Sequence, residues 1–147
     1  DQSSSRGLGD VYKRQAQPDQ RVLVFTGDGE MLMGLGSLST VGLQQPKNLA
    51  VVVLDNEHFG ETGMQTTHTA GSVNLAEIAR ASGISSSWTV REFSEISTTR
   101  EKILHEKGPL FCGIKVRAET LPLVLPPKEG EILQKRFRNA LMNENGD

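Results

Sequence analysis

Two short stretches of the chain carry residue types suited to holding a phosphorylated ligand through a metal ion. The first is Gly27-Asp28-Gly29-Glu30, in which two glycines flank a carboxylate. Glycine lets a backbone approach a phosphate closely, and a helix opening from such a loop adds amide donors and a favourable dipole. A carboxylate beside phosphates is repulsive unless a divalent cation lies between them. Mg²⁺ binds in that way, through one or two carboxylates plus phosphate oxygens. The second stretch, Asp55-Asn56-Glu57-His58-Phe59-Gly60, offers an amide oxygen and backbone carbonyls to the same cation. Taken singly, Asp28 reads equally well as the cap of a helix beginning at Glu30, and Asn56 reads better as an ordinary turn residue. The pair says more, because Asn56 follows Asp28 by 28 positions (56 − 28 = 28) and both stand at equivalent strand ends.

The elements that must position these loops follow from hydrophobic period. Arg21–Thr26 is a nearly continuous apolar run rich in β-branched residues and stopped by glycine, the pattern of a buried parallel strand. Glu30–Leu43 has Met31, Leu32, Leu35, Leu38 and Val41 at helical spacing, with Gly34 and Gly36 expected to offer a close-packing surface. Leu49–Leu54 is a second buried strand after a loop at Pro46, so the unit is a right-handed parallel crossover. Glu57–Val73 has no clear period, is rich in Gly, Thr and His, and reads as a functional loop with a helical turn inside. Asn74–Ser82 is a helix with Asn74 as N-cap, Glu77 placed for a capping box and Gly83 as its stop. Ser86–Arg91 reads as a short strand. Ser94–Lys107 is an amphipathic helix with Ile96, Ile103 and Leu104 inward, ended by Gly108. Leu110–Val116 is a third core strand. Pro122, Pro126 and Pro127 mark an extended passage before a last amphipathic helix, Glu129–Met142, with Ile132, Leu133, Phe137, Ala140 and Leu141 on its apolar side. Alternating apolar strands and helices predict an α/β fold: a doubly wound, mostly parallel sheet with helices on both faces. Ligands of such sheets bind beyond the carboxyl ends of the strands, where both loops lie.

The 147 residues suit one domain, and 16 Lys+Arg against 18 Asp+Glu give a net charge of −2. That balance argues against a nucleic-acid binder, and no basic block of the membrane-surface kind is present. Mean hydropathy is −0.35, and the longest apolar run, Leu49–Leu54, is far short of the roughly 20 residues of a membrane helix. One cysteine, Cys112, excludes an internal disulfide and reads as a small core residue. A cytoplasmic protein is the expectation. Asp1–Gln15 has neither strand nor helix periodicity, and Gly7–Gln15 resembles a translated sequencing-adapter tail found at the ends of unrelated metagenomic proteins. On that reading the native part is 16–147, carries −3, and lacks its N-terminal portion.

Gly27-Asp28-Gly29, then 26 residues from Glu30 to Asp55, then Asn56, resembles the diphosphate-binding motif of thiamine-diphosphate enzymes. The stretch from Gly27 to Thr69 and the closing segment from Pro126 to Leu141 are similar to the diphosphate-binding half of sulfopyruvate and phosphonopyruvate decarboxylases and related 2-oxoacid decarboxylases. The resemblance covers residues 20–142 and implies thiamine diphosphate and Mg²⁺ as cofactors. It assigns Asp28 and the Asn56 side chain to Mg²⁺, together with the His58 main-chain carbonyl. Gly27, Gly29, Glu30, Gly60 and Glu61 would lie against the diphosphate, mainly through backbone amides. Many relatives carry a second Asn where this chain has Asp55, a position that does not supply a side-chain ligand.

The resemblance also implies what is missing. The glutamate that activates the aminopyrimidine comes from a separate pyrimidine-binding domain, so a partner domain or subunit, in a homo- or hetero-oligomer, is expected. The relatives also carry a strand, a helix and a glycine-containing loop ahead of the position of Arg21. The implied activity is decarboxylation of a small anionic 2-oxoacid, the thiazolium serving as electron sink. The alternatives are an acetolactate-synthase-like carboligase, a non-catalytic phosphate- or nucleotide-binding module, and a truncated product without function. The GxGxxG fingerprint of a dinucleotide binder is missing after Thr26. His68, in Gln65–Thr69, is a candidate acid/base or a cation for an anionic substrate, although a loop histidine bonded to nearby backbone is the better reading. Lys128, Arg136 and Arg138 read as a solvated helix face. For the first fifteen residues the expected outcome is few packed contacts; a structure with Leu8, Val11 and Tyr12 in the core would overturn the foreign-tail reading.

Overall fold

The computed structural model describes residues 19–119 and 127–143; the tail at 1–15 and the prolines Pro122 and Pro126 lie outside the described residues. Four strands form one sheet in the order β1-β2-β6-β5, every neighbour parallel. They are β1 (Val22–Gly27), β2 (Leu49–Asp55), β5 (Ser86–Val90) and β6 (Leu110–Lys115). Side chains alternate between the two faces of a strand, and helices cover both. On one face Val51, Val53 and Phe111 meet Met31, Leu38 and Val41 from α1 (Asp28–Met33) and α2 (Gly36–Gln44), and Leu75, Ala76 and Ala79 from α3 (Leu75–Ala81). On the other, Ala50, Val52, Leu110 and Cys112 meet Ile103 of α4 (Ile96–His105). Fully burying one Val or Phe contributes about 1.5–3 kcal/mol, so the fully buried Val52, Val53 and Phe111 make β2 and β6 the anchor of the domain. The expected doubly wound α/β architecture is therefore present.

Cover on the second face is incomplete. Leu23 and Phe25 of β1 and Leu54 of β2 are exposed, Phe25 by 64%. Arg21 closes the far end of this face, its guanidinium donating 2.6 Å hydrogen bonds to the Ile103 and Glu106 carbonyls at the C-terminus of α4. Cys112 is fully buried mid-strand, and burial pushes its thiol up to about 12, consistent with a core residue.

The helix expected from Glu30 to Leu43 starts earlier and is broken. It opens at Asp28 and divides at Gly34-Leu35 into α1 and α2. Gly34 shares its N–H between the Glu30 and Met31 carbonyls, at 3.1 Å each, and the Ser37 hydroxyl donates to its carbonyl at 2.7 Å. Two glycines within three residues lower helix propensity enough for that break. The expected close packing at Gly34 and Gly36 occurs instead at Gly42, six residues beyond Gly36. A Cβ at Gly36 would meet nothing within 4 Å, whereas one at Gly42 would sit 1.7 Å from the Ser82 carbonyl oxygen.

Asn74 caps α3 as expected, its Oδ1 accepting from the Ala76 and Glu77 N–H groups at 3.0 and 3.2 Å. Glu77 turns to Arg80 instead of completing the box. Gly83 stops the helix at φ +100°. The segment after Asn56 holds more order than its sequence suggested: a hairpin of β3 (His58–Phe59) and β4 (Gln65–Thr66), then a 3₁₀ turn at His68–Ala70. A 3₁₀ turn at Phe93–Glu95 precedes α4, so the α-helix begins at Ile96 and not at Ser94. The last helix, α5 (Gly130–Asn143), is amphipathic as expected, yet Ile132, Leu133 and Phe137 are exposed, as are Lys128, Arg136 and Arg138. Among the described residues, no helix is long and apolar enough to cross a membrane.

Gly42→Ala sets helix propensity against sterics. The propensity gain is up to about 1 kcal/mol, but the clash is with backbone and cannot relax cheaply, which costs about 1–3 kcal/mol. Gly42→Ala is therefore expected to lower the urea unfolding midpoint, while Gly36→Ala leaves it unchanged or raises it.

Candidate functional site

The parallel register brings the two loops level. Gly27, the last residue of β1, pairs with Leu54, so β1 and β2 release Asp28 and Asn56 at the same edge of the sheet. Gly27, Asp28, Gly29, Glu30, Asn56, His58, Gly60 and Glu61 all line one cavity of about 390 Å³ there. Met33, Leu54 and Val116, all exposed, give it an apolar rim.

Asp28 is not the helix cap that its position allowed. Gly27 is the N-cap, Asp28 already lies in α1, and its carboxylate points away from the helix amides to the hydroxyls of Thr67 and Thr69. The Thr67 hydroxyl donates to Asp28 Oδ2 at 2.5 Å, and the Thr69 hydroxyl stands 3.2 Å from the same oxygen. Among the described residues Oδ1 takes part in no hydrogen bond and no ion pair reaches the carboxylate, although Asp28 is only 2% exposed. A buried anionic oxygen without a partner is costly unless a cation meets it. Glu30 instead serves the N-cap, its carboxylate accepting from the Thr26 hydroxyl at 3.0 Å.

The loop after β2 is shaped by two successive Asx turns. Asp55 Oδ1 accepts the Glu57 N–H at 3.1 Å, and Asn56 Oδ1 accepts the His58 N–H at 2.9 Å. Asn56 Oδ1 thus retains capacity for a second partner, and the residue lines the cavity. Glu57 sits at φ +63°, a left-handed conformation that non-glycine residues adopt at a cost of about 1–3 kcal/mol, and it is held by the Thr67 N–H donating to its carbonyl at 2.8 Å. The Phe59 ring then folds back over the first loop. A Cβ at Gly29 would lie 2.7 Å from Phe59 Cδ1, so this glycine makes room for the ring, while Gly27 has nothing within 4 Å of its Cβ direction. Gly27 therefore remains open to a ligand and Gly29 is used for packing.

The donor set suits a hard divalent cation. One carboxylate with a free oxygen, one amide oxygen and one main-chain carbonyl leave the remaining positions to phosphate oxygens and water, the manner in which Mg²⁺ is held. Among the described residues no three His, Cys, Asp or Glu converge into a cluster of the zinc kind. α1 has six residues, so its dipole is a small contribution beside that of a cation.

Sequence reasoning missed three residues. Thr67 and Thr69, both buried, join Asp28 to Asp55: the Thr69 hydroxyl lies 2.7 Å from Asp55 Oδ1 and 2.8 Å from the Thr67 hydroxyl. Lys115, at the end of β6, pairs with Asp55 at 2.9 Å and with Glu57 at 2.5 Å. Burial works against its charge, but the hydrogen bonds to Glu57 and Asp55 and their negative charges outweigh burial and hold its pKa above the ordinary lysine value. The available signals were a threonine on each side of His68 and a lysine closing an otherwise apolar strand. His68 itself is exposed and lines neither this cavity nor a second one of about 320 Å³ beside Lys115 and Arg91.

A family profile described as thiamine pyrophosphate enzyme, C-terminal TPP binding domain, matches residues 9–114. The chain is 36% identical over 146 residues to the sulfopyruvate decarboxylase subunit beta of Methanocaldococcus jannaschii, covering 95% of this chain and 71% of that protein. It is also 36% identical over 122 residues to the phosphonopyruvate decarboxylase of Streptomyces viridochromogenes, covering 80% of this chain and 30% of that protein. An X-ray structure from Mycobacterium smegmatis, described as a thiamin diphosphate-dependent enzyme, superposes with a TM-score of 0.53 at 19% identity, over 80% of this chain and 21% of that chain, a likeness of fold. This chain belongs to the thiamine pyrophosphate enzyme family, of which it carries the C-terminal TPP-binding domain.

Proposed function

We propose that this chain is the cofactor-anchoring half of a decarboxylase acting on a small anionic 2-oxoacid of the sulfopyruvate or phosphonopyruvate type. The observation that carries the reading is the buried Asp28 carboxylate, with an oxygen free of hydrogen bonds among the described residues, lining the same cavity as Asn56. Asp28, the Asn56 side chain and the His58 carbonyl hold Mg²⁺. The open backbone at Gly27, with Gly29, Glu30, Gly60 and Glu61, takes the diphosphate of thiamine diphosphate. When bound, the cofactor supplies an electron sink for the carbon that loses CO₂. The chain's own residues bind and orient it: Asp28 and Asn56 set where the diphosphate stops, and the apolar rim of Met33, Leu54 and Val116 excludes water from the end beyond it. The names of the relatives at 36% identity, both decarboxylases of this substrate type, support the substrate class.

A partner carrying the pyrimidine-binding domain completes the site. Two observations support that. The carboxylates nearest the cavity are occupied or at the diphosphate end: Glu57 is bound to Lys115, Glu30 to the N-cap, and Glu61 lies in the same loop as Gly60. Proton transfer to the pyrimidine ring would need a carboxylate within about 2.6–3.2 Å of it, and the carboxylates of this cavity stand at the end proposed for the diphosphate. The second observation is the bare apolar strip of Leu23, Phe25 and Leu54, which runs along one sheet face to the rim and suits burial against another chain.

Two outcomes are expected. In the assembled enzyme Asp28→Ala abolishes Mg²⁺-dependent thiamine-diphosphate binding, a loss larger than the about 100-fold typical of an outer partner of a metal ligand. Asn56→Ala weakens it less, because a neutral oxygen is lost. Calorimetric titration checks both, and unchanged affinity in Asp28→Ala would reduce the glycine loop to a structural turn. The isolated chain, given cofactor, Mg²⁺ and a panel of 2-oxoacids including sulfopyruvate and phosphonopyruvate, releases no CO₂ until a pyrimidine domain is supplied. A rate that rises linearly with the concentration of this chain alone would refute the divided site.

A further inference from the structure

We infer that Lys115 is a positioning residue for the cation, acting on Asp28 and Asn56 through Asp55, Thr69 and Thr67. The inference rests on the cofactor-anchoring reading given above. Lys115 lies on β6, two strands away from the glycine loop, and touches neither of the two side chains assigned to Mg²⁺. An ammonium has three N–H donors, and each of Lys115's finds a different acceptor. Nζ lies 2.9 Å from Asp55 Oδ2, 2.5 Å from Glu57 Oε1 and 3.3 Å from the Thr69 carbonyl oxygen. Asp55 and Glu57 flank Asn56 in the chain, so one cation clamps the loop on both sides of the amide that faces the cavity.

The same contacts extend to Asp28. Four short contacts join Asp28, Thr67, Thr69 and Asp55, at 2.5, 3.2, 2.7 and 2.8 Å. Only two hydroxyl protons are available to serve them, because ionised carboxylates accept and do not donate. The shortest contacts divide them: the Thr67 proton goes to Asp28 Oδ2 and the Thr69 proton to Asp55 Oδ1. That division keeps Asp28 tied at Oδ2 and leaves Oδ1 for the cation. It depends on Asp55 staying in place as an anion, and Lys115 is the cation that neutralises it. Without Lys115 two buried carboxylates, Asp28 and Asp55, share two hydroxyls with no positive charge beside Asp55. The Thr69 hydroxyl and the Asx turn at Asp55 are then free to re-pair. The bland alternative is that Lys115 merely stabilises the fold. It differs in what it leaves alone, since a purely structural residue does not move the Mg²⁺ requirement of the folded protein.

The experiment uses the full chain assembled with its partner subunit. Mg²⁺ is titrated at saturating thiamine diphosphate and binding is followed by calorimetry, alongside the melting temperature of the cofactor-free protein. Lys115→Met is expected to raise the Mg²⁺ half-saturation concentration by about 10–100-fold, the range for outer partners of metal ligands. Lys115→Arg is expected to recover part of that loss, as is the double variant Asp55→Asn/Lys115→Met, which leaves no unpaired anion at Asp55. An unchanged Mg²⁺ midpoint in Lys115→Met, including the case in which only the cofactor-free melting temperature falls, overturns the inference. Should Lys115→Met not fold, Thr69→Val cuts the hydroxyl link while leaving the ion pairs, and the same midpoint decides: a rise supports the inference and no change overturns it. A wild-type protein that binds no thiamine diphosphate with Mg²⁺ overturns the anchoring reading and this inference with it. Normal wild-type binding with an unmoved variant overturns this inference alone.

Discussion

The parallel pairing of β1 with β2 is the constraint on which the site depends. Gly27 opposite Leu54 places the ends of the two strands level, so the residues that follow leave the sheet together and meet the same volume. A slip of one residue would move every side chain of β1 to the opposite face. It would take Val22 and Val24 out of the core that Leu38, Val51 and Val53 form. The register that buries the valines is therefore the register that sets Asp28 against Asn56.

Charge is the second organising element. A sheet edge that gathers Asp28, Asp55 and Glu57 within two loops would be self-repelling if left alone. Lys115 offsets two of these carboxylates, and threonine hydroxyls spread the hydrogen bonding of the third. Among the described residues the carboxylate left without a positive partner is the most buried of the three, at 2% exposure. The uncompensated charge is thus confined to the position proposed to meet a cation, its neighbours being neutralised by Lys115.

The two faces of the sheet are finished unequally. One is sealed by α1, α2 and α3, with Gly42 allowing α2 to rest on the Ser82-Gly83 backbone at a separation that no side chain would permit. The other is covered, among the described residues, by α4 and leaves Leu23, Phe25 and Leu54 exposed. The exposed strip reaches the rim of the cavity, so the surface left for a partner adjoins the part of the site that the partner is proposed to complete.

Much of this was legible in the residues themselves. The run Leu49–Leu54 reads as a buried strand because it is short, rich in valine and offers almost no polar face to water; five of its six residues are buried, and Leu54 at its end is exposed. Gly27-Asp28-Gly29 and Asn56 could be recognised because each directly follows an apolar strand run and the 28-position spacing between Asp28 and Asn56 is itself written in the sequence. The packing at Gly42 and the strand-like turnback of His58–Phe59 onto Gln65–Thr66 could not. Each is decided by what lies across from it, the Ser82 backbone for Gly42 and the partner strand for His58–Phe59. Sequence alone also left Asp28 balanced between a helix cap and a ligand. The cap was excluded by Thr67 and Thr69, 39 and 41 positions away, whose hydroxyls draw the carboxylate off the helix. The lysine that closes β6 gave no hint of its partners, since an ion pair 58 positions long, with Glu57, exists only once β6 has been laid beside β2. The sequence determined the elements and the residue types at the strand ends, because those follow from period and backbone freedom. The tertiary structure decided which charges meet, because partners chosen by proximity across strands have no representation in their spacing along the chain.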